Sequence, residues 1–218
     1  MPELVTIPSS FFELSVDYDR PVLKLLLDRG LIVQGIFDAL KPWNASIDDI
    51  EPHNDGKHSE QGVTFRIPAK RASFFLGIAS CRFSREDVDW AAADETITMM
   101  DTIMLTLSSL SGIVMGTKKS TVGMHLQPRT KTYLEILNPF LAAQWVSFET
   151  APVRTMAVIA RWEKRGVTLD GSALLANAVF AKLEREFEIG GTSLDMASQL
   201  RVDQEELFRV LGVEEDRG

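Results

Sequence analysis

The chain has 218 residues, of which 45% are hydrophobic and 25% are charged, a composition typical of a globular protein that folds without a structural metal or disulfide. The 23 basic and 31 acidic residues give a net charge of −8, which argues against general binding to nucleic acid or to anionic membranes. The single cysteine, Cys81, excludes an internal disulfide and favours a reducing compartment, so we predict a cytoplasmic protein.

The first half of the chain contains apolar residues at both strand and helix spacing. Alternation predicts a strand over 11–18, and helical spacing from Pro21 to Leu40 predicts a helix with a break near Asp28–Gly30. Further strands are predicted at 45–52, 62–69 and 72–83, with a turn at 69–72. Because both faces of 72–83 are largely apolar, we expect that segment to be a central strand of a sheet.

The longest predicted helix covers residues 84–116, with Ser84 as its cap and Gly112 and Gly116 at its end. Its apolar stripe consists of Ile97, Met100, Met104, Leu107, Leu110 and Val114, widened by Met99 and Ile103. A helix with so few charges is covered on more than one side, so it is either central in the core or half of a subunit interface. Its methionines also suit an apolar ligand pocket.

The second half of the chain repeats this mixture of strands and helices. The predicted elements are a strand at 120–128, a helix from 131 to Pro139, a strand pair over 153–170 with a turn at 163–166, an amphipathic helix over 171–187, and two short helices in 192–218. The N-terminus lacks the features of a signal peptide, and no segment reaches the roughly 18 apolar residues of a membrane span. We therefore expect no membrane association.

The order of these elements predicts an α+β fold. Antiparallel strands are grouped with long helices, so we expect a mostly antiparallel sheet with long helices packed on one face, plus a short C-terminal helical tail. The order strand, helix, strands, helix occurs before about residue 116 and again after it, which suggests a duplicated layout. The predicted domains are an α+β domain over 1–188 and a small helical extension over 189–218.

Three histidines provide the candidate metal ligands: His53, His58 and His125. Imidazole binds zinc and similar ions, and acidic residues surround the first two histidines in the segment IEPHNDGKHSEQG. The segment is also rich in turn-forming residues and has no HExxH or CxxC spacing, so it is more typical of a polar loop between two strands. We place His125 on the polar, solvent-facing side of its strand.

Other chemical motifs are absent from the sequence. The segment SGIVMGTKKST fails the spacing of a phosphate-binding loop, and no serine has the G-x-S-x-G setting of a hydrolase nucleophile. Cys81 lies in an apolar run and is expected to be buried and inert. We therefore assign no catalytic residue, no cofactor-binding residue and no cofactor, and the balance favours a protein that is not an enzyme.

The tail has the predicted element order of a helix-turn-helix over 192–213: a short helix, a turn near Arg201–Val202 and a second helix. Residues 201–218 carry six acids (Asp203, Glu205, Glu206, Glu214, Glu215 and Asp216) and three arginines (Arg201, Arg209 and Arg217). Because this charge would repel DNA phosphates, the tail favours docking to protein over reading of DNA.

Two main classes of function follow from these patterns. The first, which we favour, is a cytoplasmic, non-catalytic binding or assembly protein that forms a homo-oligomer or binds another protein. The alternative is a metal-binding protein or enzyme that uses His53, His58 and His125. A third hypothesis is a transcription regulator that binds DNA through residues 192–213.

Overall fold

The computed structural model describes residues 2–54, 61–88, 94–140, 157–188 and 193–216. Its fold is α+β, with a ten-stranded, mostly antiparallel sheet, which confirms the predicted class. The strands are β1 (Glu3–Tyr18), β2 (Ile50–His53), β3 (Gly62–Ile67), β4 (Ala72–Gly77), β5 (Ser80–Glu86), β6 (Met115–Pro128), β7 (Ala157–Arg161), β8 (Arg165–Gly171), β9 (Val179–Phe187) and β10 (Val213–Glu215). The helices are α1 (Lys24–Leu27), α2 (Arg29–Leu40), α3 (Asp94–Ser111), α4 (Tyr133–Leu137) and α5 (Ser193–Leu211).

Contacts between Cα atoms divide the chain into two compact units. Unit 1 consists of Met1–Ser10, Thr121–Arg185 and Gln199–Gly218, and unit 2 consists of Phe11–Ser120 and Glu186–Ser198. The predicted boundary between residues 188 and 189 stays a prediction. In chain order, β1, α1–α2, β2–β5 and α3 are followed by β6, α4, β7–β9 and α5, so the element order has the duplicated layout that the sequence suggested.

Unit 2 is built on strands in the order β2-β3-β4-β5-β1, each antiparallel to its neighbour. Its core contains the fully buried rings of Phe12, Phe65, Phe74 and Phe83. Helices α2 and α3 pack against each other, and Gly35 is closely approached by the side chain of Leu110. A larger residue at position 35 would collide with α3, which explains a glycine inside a helix.

Unit 1 contains strands in the order β1-β6-β9-β8-β7, with β10 parallel to the start of β1. Its buried side chains include Met124, Leu169, Leu183, Leu200 and Leu207. Glu3 is buried and holds the segment after β6, because its carboxylate accepts hydrogen bonds from Thr130 Oγ1 at 2.6 Å and from the N–H of Thr130 and Lys131. These bonds lower the pKa of Glu3, the one from the Thr130 hydroxyl most of all.

Helix breaks and caps agree with the sequence signals in two places. The helix after Pro21 is interrupted at Asp28, as predicted, and Gly112 ends α3 with a φ of +68°. The predicted start of α3 at Ser84 was wrong. Ser84 belongs to β5, where its hydroxyl lies 2.8 Å from that of Ser73. Gly116 lies inside β6 rather than at the helix end.

The single strand predicted over 72–83 is two strands, β4 and β5, joined by a turn at Ile78 and Ala79. Phe74 is therefore paired with Phe83 and faces the same side, whereas a single strand over 72–83 would place these two residues on opposite sides. Gly77 and Ser80 flank the turn and are common turn residues, but the two central residues, Ile78 and Ala79, are apolar and continue the strand pattern. Two backbone hydrogen bonds hold the turn: Val22 N–H donates to Ile78 O, and Tyr18 N–H donates to Ala79 O.

The prediction of an amphipathic helix over 171–187 was wrong, because Val179–Phe187 is strand β9. Its burial alternates with a period of two, with Val179, Ala181 and Leu183 buried. The segment pairs with β8 from Gly171↔Val179 to Arg165↔Arg185. Pairing with a neighbouring strand overrides the helical propensity of its alanine, lysine and glutamate residues.

The C-terminal segment also differs from its prediction. Instead of two short helices, α5 continues through Arg201 and Val202 and ends at Gly212, which has a φ of +64°. The predicted helix-turn-helix layout is therefore absent from 193–213, and Val213–Glu215 forms a strand. No helix in the described part of the chain is long and apolar enough to cross a membrane.

Candidate functional site

His53 lies in β2 of unit 2, where its side chain is exposed. Its Nε2 is 2.8 Å from Thr64 Oγ1, and its ring meets that of Phe75 edge-on at 6.0 Å between centroids. Thr64 is on β3, beside β2, so ordinary cross-strand geometry accounts for the hydrogen bond. His58 lies outside the described residues.

His125 lies in β6 of unit 1 and is 6% exposed, so the predicted solvent-facing position was wrong. β6 has β1 on one side and β9 on the other, and both of its faces are buried from Val122 to Leu126. The imidazole Nδ1 is 2.8 Å from Ser172 Oγ, and the ring packs on Phe180 at 5.0 Å. Burial lowers the pKa of His125 below its ordinary value, because the charged form loses hydration.

The metal hypothesis gains no geometric support from these positions. His53 and His125 belong to different units and are each bonded to a hydroxyl. Among the residues that the structure describes, no three histidine, cysteine, aspartate or glutamate side chains are grouped to hold an ion. A site that uses His53, His58 and His125 stays a prediction.

An open polar groove of about 380 Å³ lies on the surface of unit 2, over strands β1, β5, β4, β3 and β2. Its floor contains Glu13, Arg82, Ser73 and Ser84, together with His53. The two serine hydroxyls are hydrogen-bonded to each other at 2.8 Å, and Arg82 Nε lies 3.8 Å from the Glu13 carboxylate. Because each serine is bonded to a hydroxyl and not to a base, this arrangement contains no activated nucleophile of the usual kind.

Cys81 is fully buried in unit 2, which confirms its expected position. Its Sγ is 3.8 Å from Met104 Sδ on α3. Burial raises the pKa of the thiol to about 12, so the reactive thiolate is scarce at neutral pH. The side chain is a packing residue of the core.

An apolar pocket of about 280 Å³ lies in unit 1, between strands β7–β9 and helix α5. Its walls are formed mainly by Val158, Ala160, Val167, Leu183, Leu207 and Val210. Val158 and Ala160 are two residues apart on β7, so their side chains point to the same face of the sheet. Val167 on β8 points to that face as well, because it is paired with Ala160. Leu207 and Val210 come from one side of α5, three residues apart.

Charged residues lie at one end of this pocket and are paired with one another. Asp203 is 3% exposed and accepts two hydrogen bonds from Arg185, while Arg165 donates to Glu206 at 2.7 Å. The guanidinium of Arg165 also lies 4.8 Å from the centroid of the Trp162 ring. The hydrogen bond to Glu206 is the main cause that raises the pKa of Arg165. These pairs leave the apolar walls as the part of the pocket that a ligand can use.

The rim of the pocket exposes large apolar side chains. Trp162 is 54% exposed and Val210 is 51% exposed, and Ile159, on the other face of β7, is 63% exposed. β7 is the terminal strand of unit 1 in the described structure, so one side of its main chain has no described strand beside it. Apolar side chains therefore lie next to a strand edge that has no described strand beside it.

Sequence reasoning found β7 and β8 but missed the pocket, because two of its walls were assigned to the wrong elements. β9 was predicted as a helix, and α5 was split at the turn predicted near Arg201. One signal was present in the sequence: Asp203 is three residues after Leu200 and four before Leu207, so it lies in an apolar helical stripe. An acidic residue at such a position indicates a buried ion pair with a neighbouring element.

No protein family matches the chain, and no curated protein matches its sequence.

Proposed function

We propose that this protein is a cytoplasmic, non-catalytic binding or assembly protein that recognises polypeptide through unit 1. The observation that carries the proposal is the apolar pocket of about 280 Å³ beside the edge strand β7. Exposed apolar patches next to an unpaired strand are typical of protein interaction sites.

The chemistry of the pocket favours a polypeptide over a small polar metabolite. A metabolite site has a few polar groups directed at the ligand, whereas Arg165, Asp203 and Glu206 are engaged with one another and with Arg185. An extended peptide could add to the main chain of β7 and place an apolar side chain against Leu207 and Val210. Main-chain hydrogen bonds supply affinity in this mode, and the pocket supplies selectivity.

A short fluorescent peptide that alternates leucine with threonine tests the proposal by fluorescence anisotropy. We expect the wild-type protein to bind it and Val210→Glu to bind roughly tenfold more weakly, because the new carboxylate must be desolvated at the mouth of the pocket. Val202→Glu is the matched control, because Val202 is 53% exposed on the same helix and does not line the pocket.

Two results would contradict the proposal. The first is an absence of peptide binding by a wild-type protein that light scattering finds to be a single chain at every concentration. The second is equal loss of binding in Val210→Glu and Val202→Glu, which would place the peptide away from the pocket.

A further inference from the structure

The partner in the proposed binding function can be inferred from β7, the edge strand of unit 1 in the described structure. β7 pairs with β8 on one side, and no described strand pairs with its other side. Edge strands are usually protected from association by a proline, a bulge or a charge in mid-strand. β7 has the sequence AVIAR and a continuous register with β8, so its one charge is at its last residue, Arg161.

The terminal strand of unit 2 shows the protection that β7 lacks. β2 has four residues, Ile50–His53, and the third of them is Pro52. A proline has no N–H to offer to an added strand. Of these two edges, β7 is the one suited to strand addition.

The hydrogen-bond pattern shows which residues of β7 face outward. Trp162 N–H donates to Arg165 O at 2.7 Å and closes the β7–β8 hairpin. Because antiparallel pairs alternate between bonded and non-bonded, Ala160 and Val158 also direct their main-chain groups to β8. Ala157, Ile159 and Arg161 therefore direct their N–H and C=O groups away from β8.

We infer that two copies of this chain form a symmetric dimer by antiparallel pairing of their β7 strands, with Ile159 opposite the partner's Ile159. The inference rests on the proposed function and names a second copy as the polypeptide recognised. In this register Ala157 lies opposite the partner's Arg161, so three residue pairs with two bonds each give six hydrogen bonds. Every outward main-chain group of β7 is then paired, and a two-fold axis passes between the two Ile159 residues.

The same register is complementary in charge. Ala157 is paired with Asp170 on β8, so Arg161, the partner's Ala157 and the partner's Asp170 lie in one row on the same face of the sheet. Arg161 is exposed, and its side chain has no hydrogen bond or ion pair with any described residue. Its long side chain can extend over the methyl group of the partner's Ala157 to the carboxylate of the partner's Asp170. The two-fold axis repeats this ion pair.

On the opposite face, the register joins the two apolar pockets. Val158 lies opposite the partner's Ala160, and both residues line the pocket of their own copy. The two pockets therefore become neighbours across the axis. A five-residue strand makes a small interface, and interfaces below roughly 1,200 Å² are usually reversible, so we expect a dissociation constant in the micromolar range.

Light scattering and sedimentation equilibrium across a range of protein concentrations test the dimer. We expect the wild-type mass to rise from that of one chain to twice that value. Ile159→Glu should raise the dissociation constant at least roughly tenfold, because it places two carboxylates at the axis. Leu174→Glu is the control, since Leu174 is 75% exposed in the same unit and lies outside β7, and it should associate like the wild type.

A charge exchange tests the register itself. Arg161→Asp and Asp170→Arg should each weaken association roughly tenfold, because each brings like charges together at both ends of the interface. The double variant restores opposite charges and should associate within about threefold of the wild type. A double variant that is as weak as the single variants would overturn the register.

The remaining outcomes separate this inference from the proposed function. A wild-type protein that stays a single chain at all concentrations, but binds the leucine–threonine peptide in a Val210-dependent manner, overturns the dimer and leaves the proposed function standing. A protein that neither associates nor binds the peptide overturns both.

Discussion

The carboxylate of Asp203 on α5 accepts hydrogen bonds from Nε and Nη2 of Arg185 on β9, both at 2.5 Å. Asp203 is 3% exposed and is also 3.3 Å from Nη1 of Arg165 on β8. Two strands and the middle of the helix are therefore held by one buried acid. This contact forms one end of the apolar pocket in unit 1.

Replacement of this acid should destabilise the protein strongly. Asp203→Asn keeps the shape of the side chain but leaves the Arg185 charge without its buried partner, and we expect a loss of about 3 kcal/mol in the free energy of unfolding. Urea unfolding measures this loss. Glu205→Gln, at an exposed position of the same helix, should change the free energy by no more than about 0.5 kcal/mol. Equal effects of the two substitutions would show that the ion pair contributes no more than a surface charge.

Two leucines on α3 test the assignment of its buried face. Leu107 is fully buried, whereas Leu105 is 70% exposed. We expect Leu107→Ala to cost about 3 kcal/mol, because it removes buried methyl groups and leaves a cavity, and Leu105→Ala to cost less than about 0.5 kcal/mol. Thermal or urea unfolding measures both. A large effect of Leu105→Ala would mean that this exposed side of α3 is covered in solution.

The stability of the protein should depend on the protonation of His125. Burial lowers its pKa in the folded state below its value of about 6.5 in the unfolded chain, so the unfolded state binds the proton more readily. The stabilising contribution of neutral His125 is complete above pH 6.5 and is lost as the pH falls below that value towards the folded pKa. The slope cannot exceed about 1.4 kcal/mol per pH unit for one proton.

Urea unfolding of the wild type and of His125→Gln between pH 8 and pH 5 isolates this contribution. Carboxylates titrate in both proteins, so the difference between the two curves belongs to His125. We expect the wild type to lose more stability than the variant between pH 7 and pH 5. Parallel curves would contradict the lowered pKa.

Two glycines should respond to alanine with opposite signs. Gly112 has a φ of +68° at the end of α3, so Gly112→Ala should cost about 1 kcal/mol. Gly30 lies in the first turn of α2, and no atom lies within 4 Å of the position that its Cβ would take. Gly30→Ala should therefore stabilise the protein by about 0.5 kcal/mol, because it reduces the entropy of the unfolded chain. Destabilisation by both substitutions would contradict the open surroundings of Gly30.

Features that depend on neighbouring residues were predictable. The break at Asp28, the helix end at Gly112 and the β7–β8 hairpin follow from glycine, turn residues and apolar spacing over a few positions. The core face of α3 was found in part: Met100 and Leu107 are buried as the stripe required, but Val114 is 54% exposed because the helix ends at Ser111.

Features that depend on distant partners were missed. β9 has the composition of a helix and becomes a strand because β8 lies beside it, and α5 is continuous although its sequence suggested a turn. His125 was placed in solvent because the alternation of β6 cannot reveal that both of its faces are covered. The candidate site shares this dependence, because its walls come from β7, β8, β9 and α5.

By itself, the sequence determined the α+β class, the net acidic charge and a few element boundaries such as the break at Asp28 and the helix end at Gly112, because these depend on composition and on side chains within a few residues of each other. The tertiary structure alone decided the burial of His125, the ion pair of Asp203 and Arg185, the apolar pocket and the position of β7 at an edge with no described strand beside it. Local propensities amount to at most about 1 kcal/mol per ordinary residue, whereas strand pairing and burial add the contributions of many residues that are distant in the chain. Where the two conflict, as in β9, the long-range contacts determine the structure.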